Sequence, residues 1–230
     1  MCGRYSLTDP ERARTALSPL LDVDDLPEAA IPRYNIAPTQ EAVIVRNLDR
    51  RVLEMSRWGL VPSWAVDLSI GSRMINARSE SVADKPAFRD SLRARRCLVP
   101  ADGFFEWRAA GKRKEPHFIH RAERQVFTLA GLWDIWRSPE GLQVMTYAVL
   151  TCRPNAVVAE LHDRMPVIIE PADWDRWLAT ERMPPEALDD LFQPSEADDW
   201  VAEQVGEYVN KAGNEGPECV DSRPRQTSLF

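Results

Sequence analysis

No run of apolar residues in this sequence approaches the length of a membrane span, so no membrane association is expected. No C-x-x-C pair occurs. The four cysteines (Cys2, Cys97, Cys152 and Cys219) are scattered, and with no export signal they read as reduced thiols of a cytoplasmic chain. The three histidines, His117, His120 and His162, show no zinc spacing, so neither a metal nor any other cofactor is expected. The start has no basic segment followed by an apolar one, which argues against a secretory or lipoprotein signal. G-x-S-x-G and H-E-x-x-H are both missing, which removes the common serine and zinc peptidase arrangements.

What is present begins at the first residues, Met1-Cys2-Gly3-Arg4-Tyr5. Loss of Met1 would leave Cys2 with an amine and a thiol on adjacent carbons. Their ordinary pKa values are about 8 and about 8.5, so both are partly deprotonated near neutral pH. A 1,2-aminothiol meeting an aldehyde forms a Schiff base through nitrogen. Sulfur then closes on the same carbon and gives a five-membered thiazolidine, a durable covalent capture. The plainer alternative is that Cys2 is an incidental small residue.

The 230 residues carry a net charge of −7, unevenly spread. Residues 51–150 hold sixteen basic against eleven acidic side chains, and residues 151–230 hold seven against seventeen. Such a split can give an acidic protein one basic face able to meet phosphates, or simply an unevenly charged solvated surface.

Along the chain, residues 9–21 predict a short helix with Asp9 as cap and Pro10 in first position. Residues 22–32 read as a loop and Arg33 to Pro38 as an extended segment. Residues 42–47 and 51–58 form a hairpin candidate around Asn47-Leu48-Asp49-Arg50. A polar helical stretch is expected from Arg78 to about Arg95. Strands are expected at 97–100, 104–107, 117–121, 126–135 and 143–151, with a turn at Gly111 to Lys114. A short helix over 154–161, a strand at 167–170, one or two acidic helices over 172–192 and a last strand within 200–210 complete the reading. Many strands with irregularly placed helices predict an α+β fold: one domain over residues 1–221, with a strand-rich, barrel-like core of mixed and antiparallel strands flanked by short helices. Residues 222–230 are expected to be a flexible tail.

Several residues could carry chemistry. In Phe104-Phe105-Glu106-Trp107, strand alternation puts Phe105 and Trp107 on one face and Phe104 and Glu106 on the other. A carboxylate among aromatics loses solvation, its pKa rises, and it becomes a proton shuttle; an edge-strand Glu reaching water is the alternative. His162 lies in His162-Asp163-Arg164-Met165-Pro166, where Asp163 or Arg164 could orient it. Asn76 and Arg78 alternate on one extended segment, an amide beside a guanidinium, suited to a sugar oxygen and a phosphate or to an ordinary loop salt bridge. Trp58 and Trp64 flank a proline-bearing loop, where an exposed Trp would stack on a base and a buried one would serve the core.

Taken in order, Cys2-Gly3-Arg4-Tyr5, Arg33-Tyr34-Asn35-Ile36-Ala37-Pro38, Trp58-Gly59, Ile75-Asn76-Ala77-Arg78, Phe105-Glu106-Trp107 and His162-Asp163-Arg164-Met165-Pro166 resemble the SRAP (SOS-response-associated peptidase) family. The resemblance implies covalent capture of abasic sites in single-stranded DNA during the DNA damage response, after autocatalytic loss of Met1, with self-processing peptidase and lyase activities. Carried over by residue, Cys2 is the nucleophile, Asn76 positions the opened sugar or the amine, Glu106 moves protons, and His162 assists ring opening and reversal. Arg4, Arg78 and Arg164, joined by Thr151, would hold phosphates. Trp64 would wedge against a base, and Asn35 and Trp107 are further DNA-binding positions. The acidic segment 172–200 should lie away from DNA.

The chain ends Gln226-Thr227-Ser228-Leu229-Phe230, which resembles peptides that dock into sliding-clamp pockets, with Gln226, Leu229 and Phe230 as anchors. A monomer is expected. Two other functions compete: an N-terminal-nucleophile amidohydrolase of the glutamine amidotransferase kind, whose Gly- and Asn-rich motifs are missing here, and a non-covalent single-strand binding module.

Overall fold

The computed structural model describes residues 2–22, 25–111 and 113–222. The proposed clamp-docking residues Gln226, Leu229 and Phe230, and most of the expected tail, lie outside them. Ser222 still belongs to the folded part, bridging Val205 and donating from Oγ to Glu203.

Five strands close into a barrel: β3 (Glu41–Asn47), β4 (Arg51–Trp58), β6 (Arg96–Ala101), β9 (Phe127–Arg137) and β10 (Gln143–Cys152). The circuit runs β10-β4-β3-β6-β9 and back to β10, antiparallel at every step except β10 with β4. The chain is suited to this. Apolar runs such as Ala42–Val45 and Leu129–Leu132 are buried throughout, and Asn47-Leu48-Asp49-Arg50 supplies the expected hairpin turn. Closure removes the open edges that a five-stranded sheet would leave.

A second sheet lies beside the barrel in the order β13-β8-β7-β1-β2. Its members are β1 (Tyr5–Leu7), β2 (Arg33–Ile36), β7 (Gly103–Ala110), β8 (Arg113–Arg121) and β13 (Trp200–Gln204). The N-terminal strand β1 is therefore an inner strand, with Tyr5 opposite Phe104 on one side and Ile36 on the other. The Asp102 carboxylate fastens its far end, accepting from Ser6 Oγ, Thr8 N and Thr8 Oγ1. Hydrogen bonds to a charged group each contribute about 1.5–3 kcal/mol, so the N-terminus is held firmly. Gly103 is required at this crossing, because a Cβ there would meet the Phe118 ring at 2.1 Å. The buried faces of both sheets share one hydrophobic cluster, while Phe105, Phe118, Val205, Val209 and Cys219 form a second, smaller one. The alternation read from Phe104 to Trp107 is present: Phe104 joins the main cluster, and Phe105 and Trp107 the smaller one.

Short pieces complete the fold. Helix α1 (Pro10–Leu17) starts where expected, its Asp9 cap accepting from Arg12 N at 2.9 Å, and stops before Pro19. Strand β5 (Asn76–Arg78) pairs in parallel with β10. Strands β11 (Met165–Pro166) and β12 (Ile168–Ile169) flank Val167 and pair with β10 and β9.

Three expected helical stretches need correction. Between Arg78 and Arg95 only α2 (Arg89–Ala94) is helical, and turns precede it; Pro86 lacks an N–H and disfavours helical backbone at Lys85. Residues 172–192 contain one helical turn, α4 (Trp174–Trp177), and two 3-10 segments beginning at Pro171 and Pro185. Likewise only Ala156–Ala159 of the stretch 154–161 forms a helix, α3, capped by Asn155. No helix among the described residues is long and apolar enough to cross a membrane.

Candidate active site at the N-terminus

Cys2 and Gly3 run on from β1 into the seam between the sheets. Arg4 still continues the ladder, its carbonyl accepting from Phe105 N at 3.0 Å. The Cys2 side chain is fully buried, and its Sγ lies 3.8 Å from the Arg4 carbonyl. Asn76, opening β5, donates from Nδ2 to the Cys2 carbonyl at 2.7 Å. Its Oδ1 is buried and has no hydrogen-bond partner among the described residues. A buried, unpaired amide oxygen costs about 1–3 kcal/mol, and such groups call for a reason beyond stability.

Glu106, from the middle of β7, is 4% exposed. Burial raises its pKa, and the nearby His162 pulls in the other direction. Burial also pushes the Cys2 thiol up, and the Glu106 carboxylate adds to that rise. A buried thiol beside a buried acid keeps its proton until a partner arrives to take it.

His162 sits in the turn after α3. Its Nδ1 accepts from Arg164 N at 3.0 Å, which leaves the proton of the neutral ring on Nε2. The Asp163 carboxylate, 87% exposed, lies 2.9 Å from the same nitrogen. One lone pair cannot serve both, so we assign the Arg164 contact to the neutral ring and the Asp163 contact to the protonated ring. Four residues far apart in sequence thus converge: Cys2 on Asn76 by hydrogen bond, Cys2 on Glu106 and Glu106 on His162 by charge.

Behind Cys2 stands a rigid aromatic wall. Tyr5 and Tyr147 share a hydroxyl–hydroxyl hydrogen bond of 2.5 Å, and Trp58 lies edge-on to Tyr5 and stacked on Tyr147. Trp58 is fully buried, with Nε1 on the Ile75 carbonyl. It supports the β5 segment and has no surface to offer a base.

The remaining sequence candidates divide. Arg78 is exposed on β5, two strand positions from Asn76. Trp64 is 61% exposed at the tip of a loop whose base is pinned. Val61 N donates to Thr146 Oγ1, Ser63 N to Asp134, and Trp136 Nε1 to the Ala65 carbonyl. The loop also leaves the barrel through Gly59, whose φ of 125° and close approach to Gly71 exclude a side chain. Arg4 and Asn35, by contrast, belong to an internal knot. Arg4 donates to Asn35 Oδ1 (2.7 Å) and to the Val209 carbonyl (3.0 Å), and Asn35 Nδ2 reaches the carbonyls of Val209, Lys211 and Asn214. Asn35 is fully buried there. Trp107 joins the same knot through Asn210 Oδ1, with the Arg4 guanidinium over its ring. Thr151 is buried too, its carbonyl accepting from Arg164 and Ser79 N. Arg164 carries a bidentate ion pair with Glu80 (2.6 and 2.8 Å).

Glu80 was not singled out by the sequence. The signal was present: Asn76, Arg78 and Glu80 alternate at the spacing of one strand face. A cleft of about 330 Å³ lined by Ser79, Glu80, Arg153, Asp189, Phe192, Gln193 and Pro194 flanks this ion pair. Asp189, from the acidic 172–200 segment, forms part of its wall.

A closed barrel with Cys2 bonded to Asn76 beside Glu106, which His162 in turn influences, defines the class of protein. The profile of the family described as SOS response associated peptidase (SRAP) matches residues 1–212, and the chain belongs to that family. It is 39% identical over 226 residues to the abasic site processing protein YoqW of Bacillus subtilis, covering 96% of this chain and all of the relative. It is 30% identical over 222 residues to the abasic site processing protein HMCES of Gallus gallus, covering 82% of this chain and 66% of that one. The fold matches a crystal structure of a protein from Bacteroides thetaiotaomicron with TM-score 0.85 at 23% identity, covering 97% of this chain and all of that one.

Proposed function

We propose that this chain processes abasic sites in DNA by capturing the sugar aldehyde of a single-stranded lesion through Cys2. Its relatives carry the name abasic site processing protein, which supports the coarser reading. The finer one is supported by a single observation: the second residue of the chain is buried in hydrogen-bond contact with Asn76 and within the field of Glu106, on which His162 acts in turn.

The sequence of events balances as follows. Water hydrolyses the Met1–Cys2 peptide bond, releasing methionine and freeing the Cys2 amine. That amine adds to C1′ of the ring-opened sugar to give a carbinolamine. Glu106, whose pKa burial raises, gives a proton to the departing hydroxyl, water leaves, and the protonated Schiff base forms. The thiol proton passes to the Glu106 carboxylate as Sγ adds to the imine carbon, and the ring nitrogen ends as a neutral amine. Asn76 holds the Cys2 carbonyl, and its unpaired Oδ1 is an acceptor for the amine or a sugar hydroxyl. His162, with its proton on Nε2, assists ring opening and reversal. Arg78 meets the phosphates, Arg164 supports the site from its ion pair with Glu80, and Trp64 stacks on a neighbouring base. Arg4, Asn35, Trp107 and Thr151 act at one remove, by shaping the strands.

The test is a denaturing gel of the protein with single-stranded DNA bearing one abasic site. Wild type should give a heat-stable crosslink, and Cys2→Ala and chain retaining Met1 should give none. A complex that dissolves on denaturation would favour the non-covalent binding module instead. We further propose that Gln226, Leu229 and Phe230 dock a sliding clamp. Loss of clamp binding on deleting the last five residues is the expected outcome.

A further inference from the structure

We propose that Glu80 is a positioning residue of this site: its carboxylate, forked on Arg164, fixes the turn that presents His162. This rests on the reading of the site given above.

Arg164 occupies the last position before β11, and its guanidinium is nine-tenths buried. Of its five N–H groups, Glu80 takes one from each terminal nitrogen (2.6 and 2.8 Å), and the Thr151 carbonyl takes another. Nε is buried without a partner among the described residues. A fork-to-fork pair of this kind fixes direction as well as distance. Glu80 follows β5, the strand that carries Asn76 and Arg78. Arg164 belongs to the turn that carries His162 and Asp163. The pair therefore ties the Asn76 wall of the site to the His162 wall, across β10, to which both segments are hydrogen-bonded.

The tie reaches the imidazole through one atom. Arg164 N–H holds His162 Nδ1 at 3.0 Å, and the Asp163 carboxylate competes for that nitrogen at 2.9 Å. Among the described residues, the other titratable or charged groups near this turn include Glu106 from β7, which His162 influences directly, Arg153, which acts on Glu80, and the Cys152 thiol, which Arg164 and Glu80 both influence. With Arg164 clamped, the ring keeps Nε2–H towards the site. With Arg164 released, the Asp163 carboxylate is free to claim Nδ1, and the ring turns out of that alignment.

The experiment uses the full chain crosslinked to abasic single-stranded DNA, with an aminooxy reagent trapping the aldehyde as it is released. The rate is measured from pH 5 to 9 for wild type, Glu80→Gln and Glu80→Ala. Glu80→Ala should change the release rate by about tenfold or more and move the midpoint of its pH profile upward. Glu80→Gln, which keeps the shape and one acceptor, should recover part of both. Thermal melting run beside them distinguishes loss of fold from loss of alignment. Release rates and pH midpoints equal to wild type in a folded Glu80→Ala would overturn the proposal. Absence of any wild-type crosslink would instead overturn the function on which it rests.

Discussion

Asn35 and Asn76 are two carboxamides set beside the same N-terminal strand, and their surroundings are opposite. Asn35 is fully buried with every polar atom engaged: its oxygen accepts from Arg4, and its nitrogen serves three carbonyls of the C-terminal segment. Asn76 uses its nitrogen on the Cys2 carbonyl and leaves its buried oxygen unpaired among the described residues. A satisfied network closes a structure. An unsatisfied acceptor next to a nucleophile waits for a substrate. The same contrast separates two arginines of the region, Arg4 enclosed in a knot and Arg78 exposed beside the site.

Substitutions can break this comparison. Short of removing the Cys2 nucleophile itself, the largest effect on chemistry is expected from Asn76→Ala. Losing the donor that fixes Cys2 should slow crosslinking by about a hundredfold, read as initial rates on denaturing gels, with modest change in melting temperature. If Asn35→Ala slowed crosslinking as much per folded molecule, the contrast would fail. Asn35→Ala should instead act on stability. It strips partners from buried carbonyls and from Arg4, and should cost about 2–4 kcal/mol in denaturant unfolding.

Glu106→Gln sharpens the electrostatic side. The folded pKa of Glu106 is raised by burial, so its favourable contribution is present below the usual carboxylate range and is lost as pH rises through the raised value. The Gln variant should therefore match wild type in stability at low pH and exceed it increasingly towards neutral and alkaline pH, while capturing the lesion more slowly. A stability difference that shrinks with rising pH would mean that the carboxylate is welcome in its ionised form. The smallest effect on folding belongs to Trp64→Ala. Its exposed ring should change stability by no more than about 0.5 kcal/mol, while weakening binding to single-stranded DNA by about 1–3 kcal/mol in a fluorescence anisotropy titration.

Strands were easier to read than helices here, for a physical reason. Apolar runs bounded by turn residues, as at 42–47 and 143–151, carry a period that survives any tertiary context. The helical expectations after Arg78 and over 172–192 failed because polar, helix-permissive residues gain little from helix alone. Pro86, Pro171, Pro184 and Pro185 cut those stretches below the length at which short helices stand unaided. Among the candidate residues, Cys2, Asn76, Glu106 and His162 were singled out in the sequence and come together in the fold, and Trp64 is exposed as a stacking ring would need to be. Glu80 was not, because a single carboxylate gains meaning only when its partner is known.

The order of residues alone determined the chemistry available: a potential aminothiol at the start, strands enough to close a barrel, and a carboxylate flanked by aromatics. Pairing decided the rest. Which asparagine is a strut and which is poised, and which arginine is shut away, depend on contacts spanning more than seventy residues of chain. Local patterns cannot encode such contacts. They appear only when burial forces each polar group to find a partner or go without.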